Sequence, residues 1–107
     1  MEVPMSKRTM SILSECIPIF TMLQDESRQQ ILMLLFDKKE MTVSELTENL
    51  ELSRPAVSHH MKLLLDAGLV SVKKNGKERI YSLNLQKTIK QLKDLLSSIE
   101  MDNQNNV

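Results

Sequence analysis

The stretch from Ser53 to Gly68, SRPAVSHHMKLLLDAG, has little choice in how it folds. Ser53 is a favoured N-cap, Pro55 is tolerated in a first helical turn, and Gly68 suits the left-handed residue that ends a helix. Between these signals Val57, Met61, Leu64 and Leu65 share one face at helical spacing. At about 100° per residue, the opposite face carries Pro55, Ser58, His59, Lys62 and Asp66. That outer face is small and polar over its first two turns, which fits a hydrated surface such as the major groove of a duplex. A solvated face on an ordinary surface helix has the same features, so the neighbouring segments decide.

Upstream, Met10, Leu13, Cys16 and Ile17 recur at helical spacing and predict a helix over 5–17, broken near Pro18 because proline disfavours helical backbone in the residue before it. Pro18 then opens a short helix to Gln24. Asp25 caps a third helix, Glu26 to Asp37, that buries Ile31, Leu32, Leu34 and Leu35. Met41-Thr42 forms a short edge strand, and Val43 to Leu50 is a brief helix with Leu46 and Leu50 inward. A tight turn at Glu51-Leu52 joins it to the Ser53 stretch. Two short helices so joined, the second polar on its outer face, make a helix-turn-helix over 43–67.

After Gly68 the period changes to two. Leu69–Lys74 and Lys77–Leu83 flank Asn75-Gly76, a strong hairpin signal, which predicts a wing over 69–83. A turn on Asn75-Gly76 pairs Lys74 with Lys77, Lys73 with Glu78, Val72 with Arg79 and Val70 with Tyr81. Two lysines side by side at the tip repel, an arrangement suited to a nearby phosphate and otherwise a solvated tip. A closing helix over 85–101 sets Leu85, Ile89, Leu92, Leu96 and Ile99 at spacings of four, three, four and three. That seam predicts pairing with a second copy, alongside Met10, Leu13 and Cys16 of the first helix; packing on its own domain is the alternative. Residues 102–107 carry no packing signal and are expected to fray.

The whole, 1–107, reads as one domain, mainly α with a small β-hairpin. Its formal net charge is zero, but the charges are segregated. Between Ser53 and Lys93 nine Lys and Arg face two acids, whereas residues 1–52 carry a net −4 and residues 94–107 a net −3. One basic surface on an acidic body is the footprint of a polyanion binder. The longest apolar run, Ile31 to Phe36, is far short of a membrane span, and the N-terminus has no signal-peptide core, so a cytoplasmic protein with no membrane partner is expected. No nucleophile–base pair, glycine-rich phosphate loop or carboxylate cluster suggests an enzyme, and no cofactor is implied.

The order of elements and their signatures resemble the ArsR-type (ArsR/SmtB) family of winged helix-turn-helix repressors. The likeness spans Pro18 to Ile99. It is carried by Leu23-Gln24-Asp25-Glu26-Ser27-Arg28 with Ile31-Leu32, by Val43-Ser44-Glu45-Leu46, by Ser53 through Lys62, and by Asp66-Ala67-Gly68-Leu69-Val70 with the wing. The resemblance implies a homodimer through first and last helices on an imperfect palindrome in a promoter, one helix in the major groove and the wing on the backbone or minor groove. It also exposes departures. Arsenic- and cadmium-type members carry a Cys-x-Cys where this chain has Thr42 and Ser44, hydroxyls in place of soft thiolates. Zinc-type members place histidines on the closing helix, and Leu85 to Met101 has none. Cys16 is the single cysteine, so two-thiol sensing is absent and no metal site is expected.

His59 and His60 are adjacent, so their side chains point about 100° apart and do not chelate one ion. His60 lies beside Val57 and Leu64 as a core-flanking residue, while His59 faces outward toward a base edge or phosphate. The expected DNA contacts are Arg54, Pro55, Ala56, Ser58, His59, Lys62, Lys73, Lys74, Lys77 and Arg79. The lysines and arginines supply affinity, and Pro55, Ala56, Ser58 and His59 read bases. The competing expectation is a winged-helix module that binds an acidic protein. No residue pattern identifies an inducer or a partner protein.

Overall fold

In a computed structural model describing residues 5–105, helix α1 runs Lys7–Leu23 without interruption. The expected break near Pro18 does not occur. Pro18 and Ser14 are both exposed, so the missing hydrogen bond lies on the side of α1 open to solvent. Cys16 on one side of the proline and Ile19 and Met22 on the other are buried on the same face. Burying each large apolar side chain is worth about 1.5–3 kcal/mol, enough to offset a proline penalty of about 3 kcal/mol.

Helix α2, Glu26–Lys38, starts where Asp25 accepts the Arg28 N–H at 3.0 Å, and buries Ile31 and Leu35. The chain leaves α2 at Lys39, whose φ is +76°, and enters β1, Met41–Thr42. Helix α3, Val43–Glu48, opens with a capping box: Thr42 Oγ1 accepts the Glu45 N–H while Glu45 Oε1 accepts the Thr42 N–H. Helix α4, Arg54–Asp66, is capped by Ser53 and buries Val57, Met61 and Leu64. It ends as its sequence requires. Gly68 (φ +80°) follows the C-cap Ala67, the Leu69 N–H reaches the Leu64 carbonyl and the Gly68 N–H reaches that of Leu65, both at 3.0 Å.

Strands β2, Val70–Asn75, and β3, Glu78–Leu83, pair antiparallel, and β1 adds to the other edge of β3. The register differs from expectation. Val72 stands opposite Tyr81, Val70 opposite Leu83, Lys74 opposite Arg79 and Asn75 opposite Glu78. The turn is therefore Gly76-Lys77. Gly76 takes φ +67° at the first central position, as a II′ turn needs, and Lys77 has no positive φ. The expected pairing would set Val72 against Arg79, whereas the observed one sets Val72 opposite Tyr81 and Val70 opposite Leu83, so that both valines meet an apolar residue directly across the strands. Met41, opposite Tyr81, completes the sheet's contribution to a core shared with Ile31, Leu35, Leu46, Val57, Met61 and Leu64.

Helix α5 runs Leu85–Asn105, so most of the expected frayed tail is helical; Asn106 and Val107 lie outside the described residues. Asp102 explains the extension. Its Oδ2 accepts the Ser6 N–H at 2.9 Å, tying the end of α5 to the start of α1. The two helices pack along a polar seam there: the buried Thr9 and Ser98 hydroxyls bond each other, and Arg8 Nε donates to Ser98 Oγ at 3.0 Å.

Candidate nucleic-acid interface

Helices α3 and α4 form the helix-turn-helix, and the β2–β3 hairpin stands beside α4 as a wing. Between them lies a cleft of about 830 Å³, lined from α3 by Ser44, from α4 by Arg54, Ser58 and Lys62, and from the wing by Lys77 and Arg79. Five of the ten expected contact residues meet in this one groove. Four cations face it, against the carboxylates of Asp66 and Glu78. The cleft is therefore basic but not uniformly so.

The other five are placed differently. Pro55 and His59 are exposed and Ala56 half-buried on the N-terminal part of α4, outside the cleft lining. Lys74 shares the face of Arg79, its cross-strand partner. Lys73 points to the opposite face of β2, where its Nζ lies 2.7 Å from Glu40 Oε2. Lys74 and Lys77, expected to be neighbours across the hairpin, are not paired, because Lys77 lies inside the turn.

His60 is half-buried, and its Nδ1 is buried without a hydrogen-bond partner among the described residues. The Asp25 carboxyl at the head of α2 is held below the usual carboxylate range by the Arg28 N–H, with the Arg28 and His60 charges adding to that effect. Arg28 also donates from Nε to the Met22 carbonyl at 3.1 Å, closing the α1–α2 junction.

Two residues missed by sequence reasoning complete the cleft. Thr42 caps α3, and Ser44 Oγ accepts the Arg54 guanidinium at 2.7 Å, clamping the head of α4 to the first turn of α3. The hydroxyls read from the sequence only as missing thiolates thus have structural work. Their link spans ten residues and a turn, so no local periodicity marks it.

Of the expected pairing residues, Met10, Leu85, Ile89, Leu96 and Ile99 are exposed, with Leu96 at 60%, and Leu13 is half-buried. Cys16 and the half-buried Leu92 turn inward instead. Cys16 is fully buried inside the protomer, its thiol directed at the Gln91 carbonyl, and Leu92 packs against the protomer's own core. Burial pushes the Cys16 thiol up, with Glu15 and Asp94 adding to it, so it is protonated at neutral pH. Ile17 and Phe20 of α1, both exposed, extend the apolar stripe in their place. Among the described residues no helix is long and apolar enough to cross a membrane, and no group of His, Cys, Asp and Glu has the arrangement of a metal site.

The family model described as bacterial regulatory protein, arsR family, matches residues 25–72, from the head of α2 into β2. The chain is 43% identical over 70 residues to an arsenical resistance operon repressor of Staphylococcus xylosus, covering 65% of this chain and 66% of that one. Somewhat under two thirds of that relative's length is therefore matched. Among solved structures, HlyU from Vibrio cholerae superposes with a TM-score of 0.64 at 32% identity, covering 73% of this chain and 85% of its own. The winged helix-turn-helix domain of Mb0332 from Mycobacterium bovis, described as homodimeric, shares the fold with a TM-score of 0.69 at 21% identity, over 92% of this chain and 89% of that one. With the helix-turn-helix, the wing and the flanking helices all in place, the chain belongs to the arsR family of bacterial regulatory proteins, winged helix-turn-helix regulators and not enzymes.

Proposed function

We propose that this protein is a homodimeric repressor that binds a palindromic promoter site, working in the cytoplasm. The observation that carries this reading is the cleft in which Arg54, Ser58 and Lys62 of α4 face Lys77 and Arg79 of the wing. In a duplex-bound dimer each α4 lies in a major groove, with Pro55, Ala56, Ser58 and His59 at base edges. The cations of the cleft and Lys74 take phosphates, which fix the register without reading sequence. Two subunits, each offering Arg54, Lys62, Lys74, Lys77 and Arg79, imply that log K falls with log salt at a slope of roughly −9.

Pairing through α1 and α5 gives the exposed apolar stripe a cover and places two α4 helices on one side of the dimer, about one duplex turn apart. The description of the Mb0332 domain as homodimeric supports pairing, and the name of the staphylococcal repressor supports repression. An inducer would act by binding the free dimer better than the DNA-bound one, a coupling of about 1–3 kcal/mol.

The test is selection of bound fragments from the host genome, followed by competition against random-sequence duplex. A two-fold symmetric site that resists random competitor supports the reading. Equal binding of scrambled duplex, or tight binding by a lone subunit, overturns it. Indifference to duplex altogether would favour an acidic protein partner.

A further inference from the structure

We propose that Ser44 is a positioning residue for DNA recognition, holding the Arg54 guanidinium aimed into the cleft between α4 and the wing so that it meets a backbone phosphate ready-oriented. This rests on the DNA-binding reading above and extends it to a residue of α3, a helix that supplies no expected contact.

Arg54 is the first residue of α4, exposed, on a long and flexible side chain. Left free, such a side chain loses rotamer entropy each time it takes up a phosphate. Here its Nη1 already donates to Ser44 Oγ at 2.7 Å. Ser44 is itself fixed, because it sits in the first turn of α3, which the reciprocal Thr42–Glu45 capping box holds against the sheet through β1. A guanidinium has five N–H donors, so one bond to a hydroxyl leaves the rest of the fork for an anion. No carboxylate forms an ion pair with Arg54 among the described residues, and its charge is unspent. Ser44, Arg54, Lys62, Lys77 and Arg79 line the same groove, so the held guanidinium belongs to the set that would receive the backbone.

Serine suits this task better than an acid would. A carboxylate at position 44 would hold Arg54 more strongly but neutralise it, whereas a hydroxyl orients the group and leaves its charge intact. The arrangement also binds α3 and α4 together at the end nearest the duplex, across the turn of the helix-turn-helix.

The experiment is a double-mutant cycle on duplex binding, using a duplex selected by the wild-type protein from random-sequence DNA and titrated at several salt concentrations. Ser44→Ala is expected to weaken binding about fivefold with an unchanged salt slope, since the phosphate contact survives but must be ordered on binding. Ser44→Thr, which keeps the hydroxyl, restores wild-type affinity. Arg54→Ala lowers the salt slope by about one unit per subunit, and Ser44→Ala then has no further effect in that background. Cooperative thermal unfolding of Ser44→Ala with the wild-type helix content, its midpoint lowered by no more than the loss of one exposed hydrogen bond, separates this from damage to α3. The same fivefold loss in the Arg54→Ala background, or no loss in either, would overturn the role of Ser44 while leaving DNA binding intact. Failure of the wild-type protein to select any duplex would overturn the underlying reading and this one with it.

Discussion

Lys73 Nζ lies 2.7 Å from Glu40 Oε2, so the edge strand of the wing is tied back to the turn behind α2. The next residue, Lys74, points to the other face beside Arg79. Adjacent lysines on one strand therefore have different duties. Lys74→Ala and Arg79→Ala should each lower the salt slope of DNA binding by about one unit per subunit, and Lys73→Ala by less than half of that. Glu40→Gln should raise affinity at low salt by freeing the Lys73 charge. Equal slopes for the Lys73 and Arg79 variants would show that both faces of the wing touch the duplex.

Leu96 is 60% exposed in the middle of α5, on the stripe proposed to meet a second copy. Leu96→Lys should weaken association at least about tenfold, because a buried charge without a partner is costly, while leaving the protomer folded. Sedimentation velocity together with far-ultraviolet circular dichroism reads both outcomes. A variant still dimeric at low concentration would move the interface elsewhere.

Pro18 sits inside α1, exposed, where its ring removes one intrahelical hydrogen bond. Pro18→Ala should stabilise the protein by about 1–3 kcal/mol, read as a raised urea midpoint at fixed protein concentration. An unchanged or lower midpoint would mean that the proline serves the assembled dimer.

The Thr9 hydroxyl and the Ser6 N–H hold the Asp102 carboxyl below its ordinary value of 3.8. A carboxyl depressed by folding contributes stability that is complete above that ordinary value and disappears as the pH falls through its lower folded value. Asp25, depressed chiefly by the Arg28 N–H, behaves the same way at the head of α2. Acid unfolding followed below about pH 4 should therefore be less steep in Asp102→Asn than in the wild type, and flatter still when Asp25→Asn is added. Superimposable acid transitions would show that neither carboxylate titrates with folding.

Much of the architecture was legible because local signals agreed with tertiary needs. The caps at Asp25 and Ser53, the stop at Gly68 and the edge strand at Met41-Thr42 all lie where the residues place them. Errors arose where a local rule met a longer-range demand. Asn75-Gly76 is a strong turn signal, yet matching Val72 with Tyr81 moved the turn one residue on. Pro18 breaks helices in isolation, but burial of Cys16, Ile19 and Met22 carries α1 through it. Asp102 looked like the start of a loose tail because its partner, Ser6, lies 96 positions away. In the cleft, the cations of α4 and the wing were readable from charge, whereas Ser44 was not, since its value lies in what it holds.

Between α1 and α5 the contact is made partly of hydroxyls, Thr9 on Ser98, with Arg8 and Asp102 alongside. Leucines can slide past one another with small loss, but a directional bond has one best alignment. Slipping either rod by a turn would leave Thr9 and Ser98 dry and unanswered. The seam thus works as a detent, and in the proposed dimer the span from one grip on the duplex to the other would inherit its length from it.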